Sequence, residues 1–404
     1  MAFPYVIAGL LLSTASLHAQ TDFEQWKAQQ QKEFREYSER QKGKATVADT
    51  VRKPQEKVPD VPKTPVLKEP KPVAPPVTEP KPVATPTVEP KPVVAPTTKP
   101  KRLPTGDAER MQYIAREYLR IKQAMPAEQF TQKSSPQHPY ALGVVKNEVL
   151  QLALDNVNLA RFIAELPNKV VLDESQTIYA QAAAVTMDAL QGLTHSPERP
   201  ANMSDDFYEN ACKGASTSNL SMGSTLPNSV WRYMDDSSDR NIDRVGHRRW
   251  ILSPKMGKTV FGLSGRFSAM YTFDKSQTFA PERGYITWPN GVFPVNEMQD
   301  YMAWSISIDP KMDEMDDDSA ISIELVRVSD GKTWTIKPDE DRSDGQYCTI
   351  SHTSYGWYPA IIFRPSYMNE TTMYSKNDTF RVTVKGLSKP IHYEVKFFDV
   401  NDVK

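Results

Sequence analysis

The chain has 404 residues, enough for two domains and further segments. It carries 49 Lys and Arg against 50 Asp and Glu, so no global field points to nucleic acid or to an anionic membrane. Apolar residues make up 39%, low for one compact fold, and 33 unevenly placed prolines account for part of that.

Residues 1–19 read as an export signal. Val6 to Leu12 is an apolar run too short to span a bilayer, and Ser13-Thr14-Ala15 and Leu17-His18-Ala19 are candidate cleavage signals. No Lys or Arg precedes the run. No cysteine follows it, which argues against a bacterial lipid anchor. The expected location is secreted, periplasmic or cell-surface. No later stretch is long enough for a transmembrane segment.

Residues 20–52 form a short polar segment with Phe23, Trp26, Phe34 and Tyr37 at roughly helical spacing. Residues 53–106 follow as a disordered proline-rich linker. Lys53 to Pro104 holds 16 prolines, and Glu-Pro-Lys-Pro-Val recurs at 69, 79 and 89. Proline removes donors and fixes φ, so this segment builds neither ladder nor helix; it favours extended polyproline II. Some fifty residues of it would reach on the order of 150 Å.

From Asp107 the composition becomes globular. Met111, Ile114, Tyr118 and Ile121 place one apolar stripe on a helix over Asp107 to Ala124, which Pro126 ends. Pro136 and Pro139 keep the next stretch a loop. A second helix spans Asn147 to Glu165. Asp173, with Gln176 three residues on, caps a third, whose alanine-rich body suits close packing and ends near Gly192. A fourth runs from Ser224 to Asp236 with Val230 and Tyr233 inward. Short strands follow at "TVFGL", "SAMYTF" and "GYITW", so residues 107–290 read as an α+β domain. Residues 296–404 read as β throughout. Seven alternating runs separated by Gly, Asp, Asn and Pro suggest a small immunoglobulin-like sandwich. The acidic loop from Asp309 to Asp318 matches no calcium-loop spacing and reads as solvated. Cys212 and Cys348 are compatible with a disulfide or with two unpaired thiols.

Of the few histidines, His352 and His392 fall in predicted strands as surface or packing residues. His195 and His247 both lie at helix ends of the α+β domain. Spacing alone gives them no short zinc motif. Ser216 and Ser218 lie in the small polar stretch "GASTSNLSMG", which suits a cleft wall or a turn. Neither sits in a Gly-x-Ser-x-Gly elbow.

The stretch "LDNVNLARFIAELPNKVVLDESQTIYAQAAAVTMDALQGLTHSPERP" brings Asn158 to Arg161, Leu172-Asp173, Ala180 to Ala182 and His195 into one order. "YENACKG" and "VGHRRWILSPKMGKTVFGL" follow. Together they resemble the CAP superfamily (cysteine-rich secretory, antigen five and pathogenesis-related proteins) in its bacterial form. The resemblance covers about Val144 to Trp288, roughly a third of the chain. Glu209 and Asn210 match the family's Gly-Glu-Asn motif, with Tyr208 standing where the glycine does. Trp250 stands where the bacterial motif has asparagine.

The resemblance implies a CAP-like α-β-α sandwich whose central cleft is faced by His195 and His247. Acidic residues complete that cleft, here Glu209 with Asp235 or Asp236, and several family members bind a divalent metal there. Two imidazoles with one or two carboxylates make a competent zinc site. Arg248 and Arg249 are expected to pair with Asp235, Asp236 and Asp239. Trp250, Ile251 and Leu252 are expected to enter a core strand. The function implied is a module binding a small-molecule, lipid or protein ligand through a cleft that includes Asn210, Ser216 and Ser218, rather than an enzyme. A metal-dependent or serine hydrolase acting on envelope material, and a structural surface protein without a metal, stay open beside it.

Overall fold

The computed structural model describes residues 104–338, 343–353 and 355–403. The expectations for the export signal, the polar segment and the linker up to residue 103 lie outside the described residues. The architecture is α+β.

Among the described residues, six α-helices come before the two large sheets. α1, Asp107–Gln123, places Asp107 and Glu109 in its first turn and Arg120 and Lys122 in its last, as its dipole favours. α2, Asn147–Ile163, buries most of its length, including Val149, Leu152, Val157 and Ala160. A single 3₁₀ turn, Glu174–Gln176, precedes α3, Thr177–Leu190. Asp173 caps that turn, accepting from the Ser175 N–H at 3.2 Å. α4 is Asp205–Ser216, α5 Leu226–Asp235 and α6 Gly246–Ile251. Sequence reasoning missed α4 and treated Gly214 to Ser216 as part of a polar loop. Its signal was present: Ser204 ahead of Asp205 and Asp206 is an N-cap with an acidic first turn, and Ser204 Oγ accepts from the Phe207 N–H.

The strands of this half are β1 Phe130–Gln132, β2 Val144–Val145, β3 Val171–Leu172, β4 Ser218–Met222, β5 Lys258–Thr259, β6 Phe261–Ser264 and β7 Phe267–Tyr271. β4, β7 and β6 form an antiparallel sheet in that order. Its two faces bury different things, as the period of two requires. Leu220, Phe267 and Ala269 pack with Ala183 and Met187 of α3 and Ala215 of α4. Phe261, Leu263 and Met270 join the cluster that holds Val157 of α2 and Val230 and Tyr233 of α5. Helices therefore cover both faces. On the α3 side the approach is close because side chains are small. A Cβ on Gly262 would collide with the Ala180 carbonyl, and one on Gly214 with that of Tyr179.

The second half is two sheets. β8 Tyr285–Trp288, β9 Gly291–Pro294, β10 Trp304–Ile308, β11 Ser322–Arg327, β12 Thr333–Ile336, β13 Tyr347–Ser351, β14 Ala360–Arg364, β15 Thr379–Lys385 and β16 Ile391–Phe398 assemble as β13-β14-β10-β8 and β12-β11-β15-β16-β9. All pairings are antiparallel except β16 with β9. All seven runs expected beyond residue 296 are strands. Aromatic rings join the sheets: Trp304 of β10 lies 5.9 Å from Phe380 of β15 and 6.4 Å from Phe397 of β16. β8 and β9 precede the boundary drawn from the sequence, yet β8 pairs with β10 and β9 with β16.

One hydrophobic cluster runs from Ile114 and Val157 in the helices to Ile306 and Phe380 in the sheets. Cys212 in α4 and Cys348 in β13 are not bridged. Among the described residues no helix is long and apolar enough to cross a membrane.

Candidate functional site: two anchored histidines

The site begins where α5 stops. Asp236 takes a left-handed conformation, φ 46°, that turns its carboxylate inward, and its side chain is 1% exposed. Oδ2 accepts from the His247 backbone N–H at 2.8 Å, and Oδ1 contacts His247 Nδ1 at 2.8 Å. Val245, just before α6, is also left-handed (φ 37°), a costly state for a β-branched residue. It is held by burial against Ile242, Ala303, Ala360 and Ile362. Asn219 of β4 donates from Nδ2 to the His247 carbonyl at 2.9 Å, and the Tyr233 hydroxyl donates to the Asn219 carbonyl at 3.2 Å. Helix, strand and turn thus converge on the placement of one imidazole.

His195 sits on the turn after α3, where its Nδ1 lies 2.7 Å from the carbonyl of Ala215 in α4. A carbonyl only accepts, so Nδ1 carries the proton and Nε2 keeps its lone pair. A carboxylate accepts likewise, so neutral His247 is the same tautomer. One side of His195 is open to solvent. The protein around the rest of the ring desolvates it and pushes its pKa down to about 4; the Ala215 carbonyl opposes this, and the nearby charges of His247 and Arg244 add to it. His195 is therefore neutral at pH 7.

The sequence-predicted residues divide. His195 lies close enough to His247 to feel its charge, and Asp236 is bonded to His247. Asp236 is occupied in orienting His247 and stands behind it. Glu209 is exposed on α4 with no hydrogen bond or ion pair among the described residues, and Asn210 beside it is half-buried. Tyr208 is helical and donates its hydroxyl to the Pro197 carbonyl at 3.0 Å. Ser216 donates back to the Lys213 carbonyl at 3.1 Å. Ser218 is buried at the start of β4, its hydroxyl without a partner. Neither serine bonds a histidine. Among the described residues no three of His, Cys, Asp and Glu are grouped as metal ligands.

Arg248 and Arg249 correct an expectation. Both are buried, and neither ion-pairs with the acidic cluster. Arg248 donates to the carbonyls of Met234, Asp235 and Ala303 and to Ser305 Oγ. Arg249 donates to the carbonyls of Arg244, Thr353 and Tyr358 and to Ser351 Oγ. The planar guanidinium spreads its donors over several carbonyls at once, which suits it to tie α6 to the two sheets. Trp250 and Ile251 close α6, and Leu252 is its C-cap, so this segment enters no strand. No protein-family model, no curated protein and no solved structure matches this chain.

Proposed function

We propose that the protein is an exported binding module of the CAP superfamily, with an immunoglobulin-like sandwich that orients it and a ligand received at the two-histidine recess. One observation carries this reading. Both imidazoles have Nδ1 anchored on an acceptor, and Nε2 of each has a lone pair with no partner among the described residues. Helices on both faces of a three-stranded sheet, and the order in which His195, α4 and His247 follow, also support the family reading.

Anchored imidazoles of this kind are how proteins aim histidines at a metal or a polar ligand. The donors fit a divalent ion such as zinc in part. His195 and His247 would hold it, with the Ala215 carbonyl and Asp236 behind them. Two nitrogens are too few for a closed structural site, so an ion here would keep open positions for water or for ligand. The hydrolase reading has less support, because Ser216 is spent on a helix carbonyl and Ser218 is buried.

Calorimetry of the full chain with zinc, against His195→Ala/His247→Ala, is the test. Binding that the double variant loses supports the recess as a metal-assisted site. Wild type that takes no zinc removes the metal and leaves a metal-free recess. A double variant that changes only the melting temperature, with every ligand screened, reduces the histidines to packing.

A further inference from the structure

α1 is shallowly embedded. Of its 17 residues only Arg110, Ile114, Ala115 and Ile121 are buried, against eleven of the 17 in α2. It lies across α2 and β9 as a strap. Charged groups tie it down. Arg110 donates to the Phe162 carbonyl at 3.1 Å, Arg120 pairs with Asp155 at 2.6 Å, and Asp107 pairs with Lys396 of β16 at 2.6 Å. Tyr118 makes a contact of another kind. Its hydroxyl donates at 2.6 Å to Oε1 of Glu297, in the 3₁₀ turn Val295–Glu297 that follows β9.

The surroundings of Glu297 suit a neutral carboxyl better than a carboxylate. Among the described residues Tyr118 is its one hydrogen-bond donor, and no cation lies within ion-pair distance. An ionised carboxylate has about four acceptor sites to fill. The charges that face it are opposed: Lys122 of α1 favours the ionised form, and Asp235 at the end of α5 disfavours it. Asp235 is itself held by the Tyr301 hydroxyl at 2.9 Å. Asp399, past β16, adds negative charge beside Tyr118, and Asn296 holds its carboxylate at 3.1 Å. Burial is the largest effect on Glu297 and lifts its carboxyl to about 7, against the pull of the Tyr118 hydrogen bond. Glu297 and Tyr118 are both half-buried, so lifting α1 returns the carboxyl to water.

We propose that the Tyr118–Glu297 contact is a proton-operated latch that sets how firmly α1 is held on α2 and β9. A protonated carboxyl closes the latch at least cost. Closing α1 over an ionised Glu297 leaves a charge with a single donor, whereas the lifted state gives that charge to water, where it titrates near 4.5. Between about 4.5 and 7 the lifted state therefore binds fewer protons than the closed one. The hold on α1 weakens as pH rises through that window and weakens no further above it. What the latch controls is apolar surface, because lifting α1 exposes Ile114 and Ile121 and the core they cover. It uses neither histidine, so it stands or falls apart from the binding reading.

Hydrogen exchange of the full chain is the test, read at the amides of α1 and α2 and corrected for the intrinsic rate at each pH. In wild type α1 should open sub-globally, its amides less protected than those of α2. Its opening constant should rise about ten- to a hundredfold from pH 5 to pH 7.5. Glu297→Gln keeps an acceptor for Tyr118 and cannot ionise, so the rise should vanish. Tyr118→Phe removes the donor that favours ionisation, so the rise should extend to higher pH. The proposal is overturned by α1 amides that exchange only with global unfolding, by a flat opening constant in wild type, by a rise that persists in Glu297→Gln, or by one that Tyr118→Phe leaves unshifted.

Discussion

The helical layers and the two sheets are held together by opposite means. Around β4, β6 and β7 the contacts are small: Ala183, Ala215, Gly214 and Gly262 let backbones approach until no side chain fits between them. Between the sheets the contacts are large, with Trp304, Phe363, Phe380 and Phe397 filling the gap. Close backbone contact fixes positions. It places the Ala215 carbonyl, and through it the His195 ring. Aromatic bulk provides cohesion and positions nothing chemical. Between the two halves lie Arg248 and Arg249, whose donors reach carbonyls on both sides.

Trp304→Ala attacks the bulky half and should cost most, about 3–5 kcal/mol in urea unfolding. Because one hydrophobic cluster spans both halves, the recess should unfold in the same transition. A recess that survives the loss of the sheets would break the comparison. Arg249→Met attacks the seam. It strips donors from three carbonyls in a buried region, and with about 1 kcal/mol or more for each it should cost about 2–4 kcal/mol. Calorimetry should then show the single transition broadening or splitting.

A second seam contact titrates. Burial raises the Glu297 carboxyl to about 7, against the opposing hydrogen bond from Tyr118 and with help from the Asp235 charge. The unfolded carboxyl titrates near 4.5. Between these values the folded state binds more protons, so this group makes stability fall as pH rises, by about 2–3 kcal/mol in all. His195 acts in the opposite sense. Its lowered pKa makes stability fall as pH drops below about 6.5, by less, since the ring is partly open to solvent. The wild-type profile between pH 4.5 and 6.5 should therefore be flattened. Glu297→Gln, measured with a chelator present, should show stability rising across that window. If it follows the wild type instead, Glu297 does not titrate there.

Much of this was legible in the sequence and the rest was not, for identifiable reasons. Regular periods gave α1, α2, α3, α5 and the strands beyond residue 296. Val230 and Tyr233 were placed inward correctly. α4 escaped because its buried face is Ala211, Gly214 and Ala215, which carry little apolar signal. α6 escaped because six residues cannot show a period. The arginines were misread because charge in a sequence suggests carboxylate partners, whereas buried guanidinium groups here find backbone carbonyls. His195, His247 and Asp236 were named from the sequence. The tautomers, and the orienting role of Asp236, needed the positions of Ala215 and of the turn at Asp236.

Asp236→Asn carries the smallest energetic effect and tests the site most directly. Asparagine keeps the size and can still accept from the His247 N–H through its carbonyl oxygen. Its other terminus becomes an NH₂ donor facing Nδ1. Two donors cannot share that contact, so the neutral ring should move its proton to Nε2 and accept at Nδ1. Nitrogen-15 shifts of the imidazole report the tautomer, and a stability loss of about 1–2 kcal/mol is expected. With Nε2 protonated, His247 presents a donor where the wild type presents a lone pair. Zinc affinity, where wild type has it, should then drop with His195 untouched. If His247 keeps its tautomer in this variant, the carboxylate does not set it, and the resemblance between the two anchored imidazoles is a coincidence of packing.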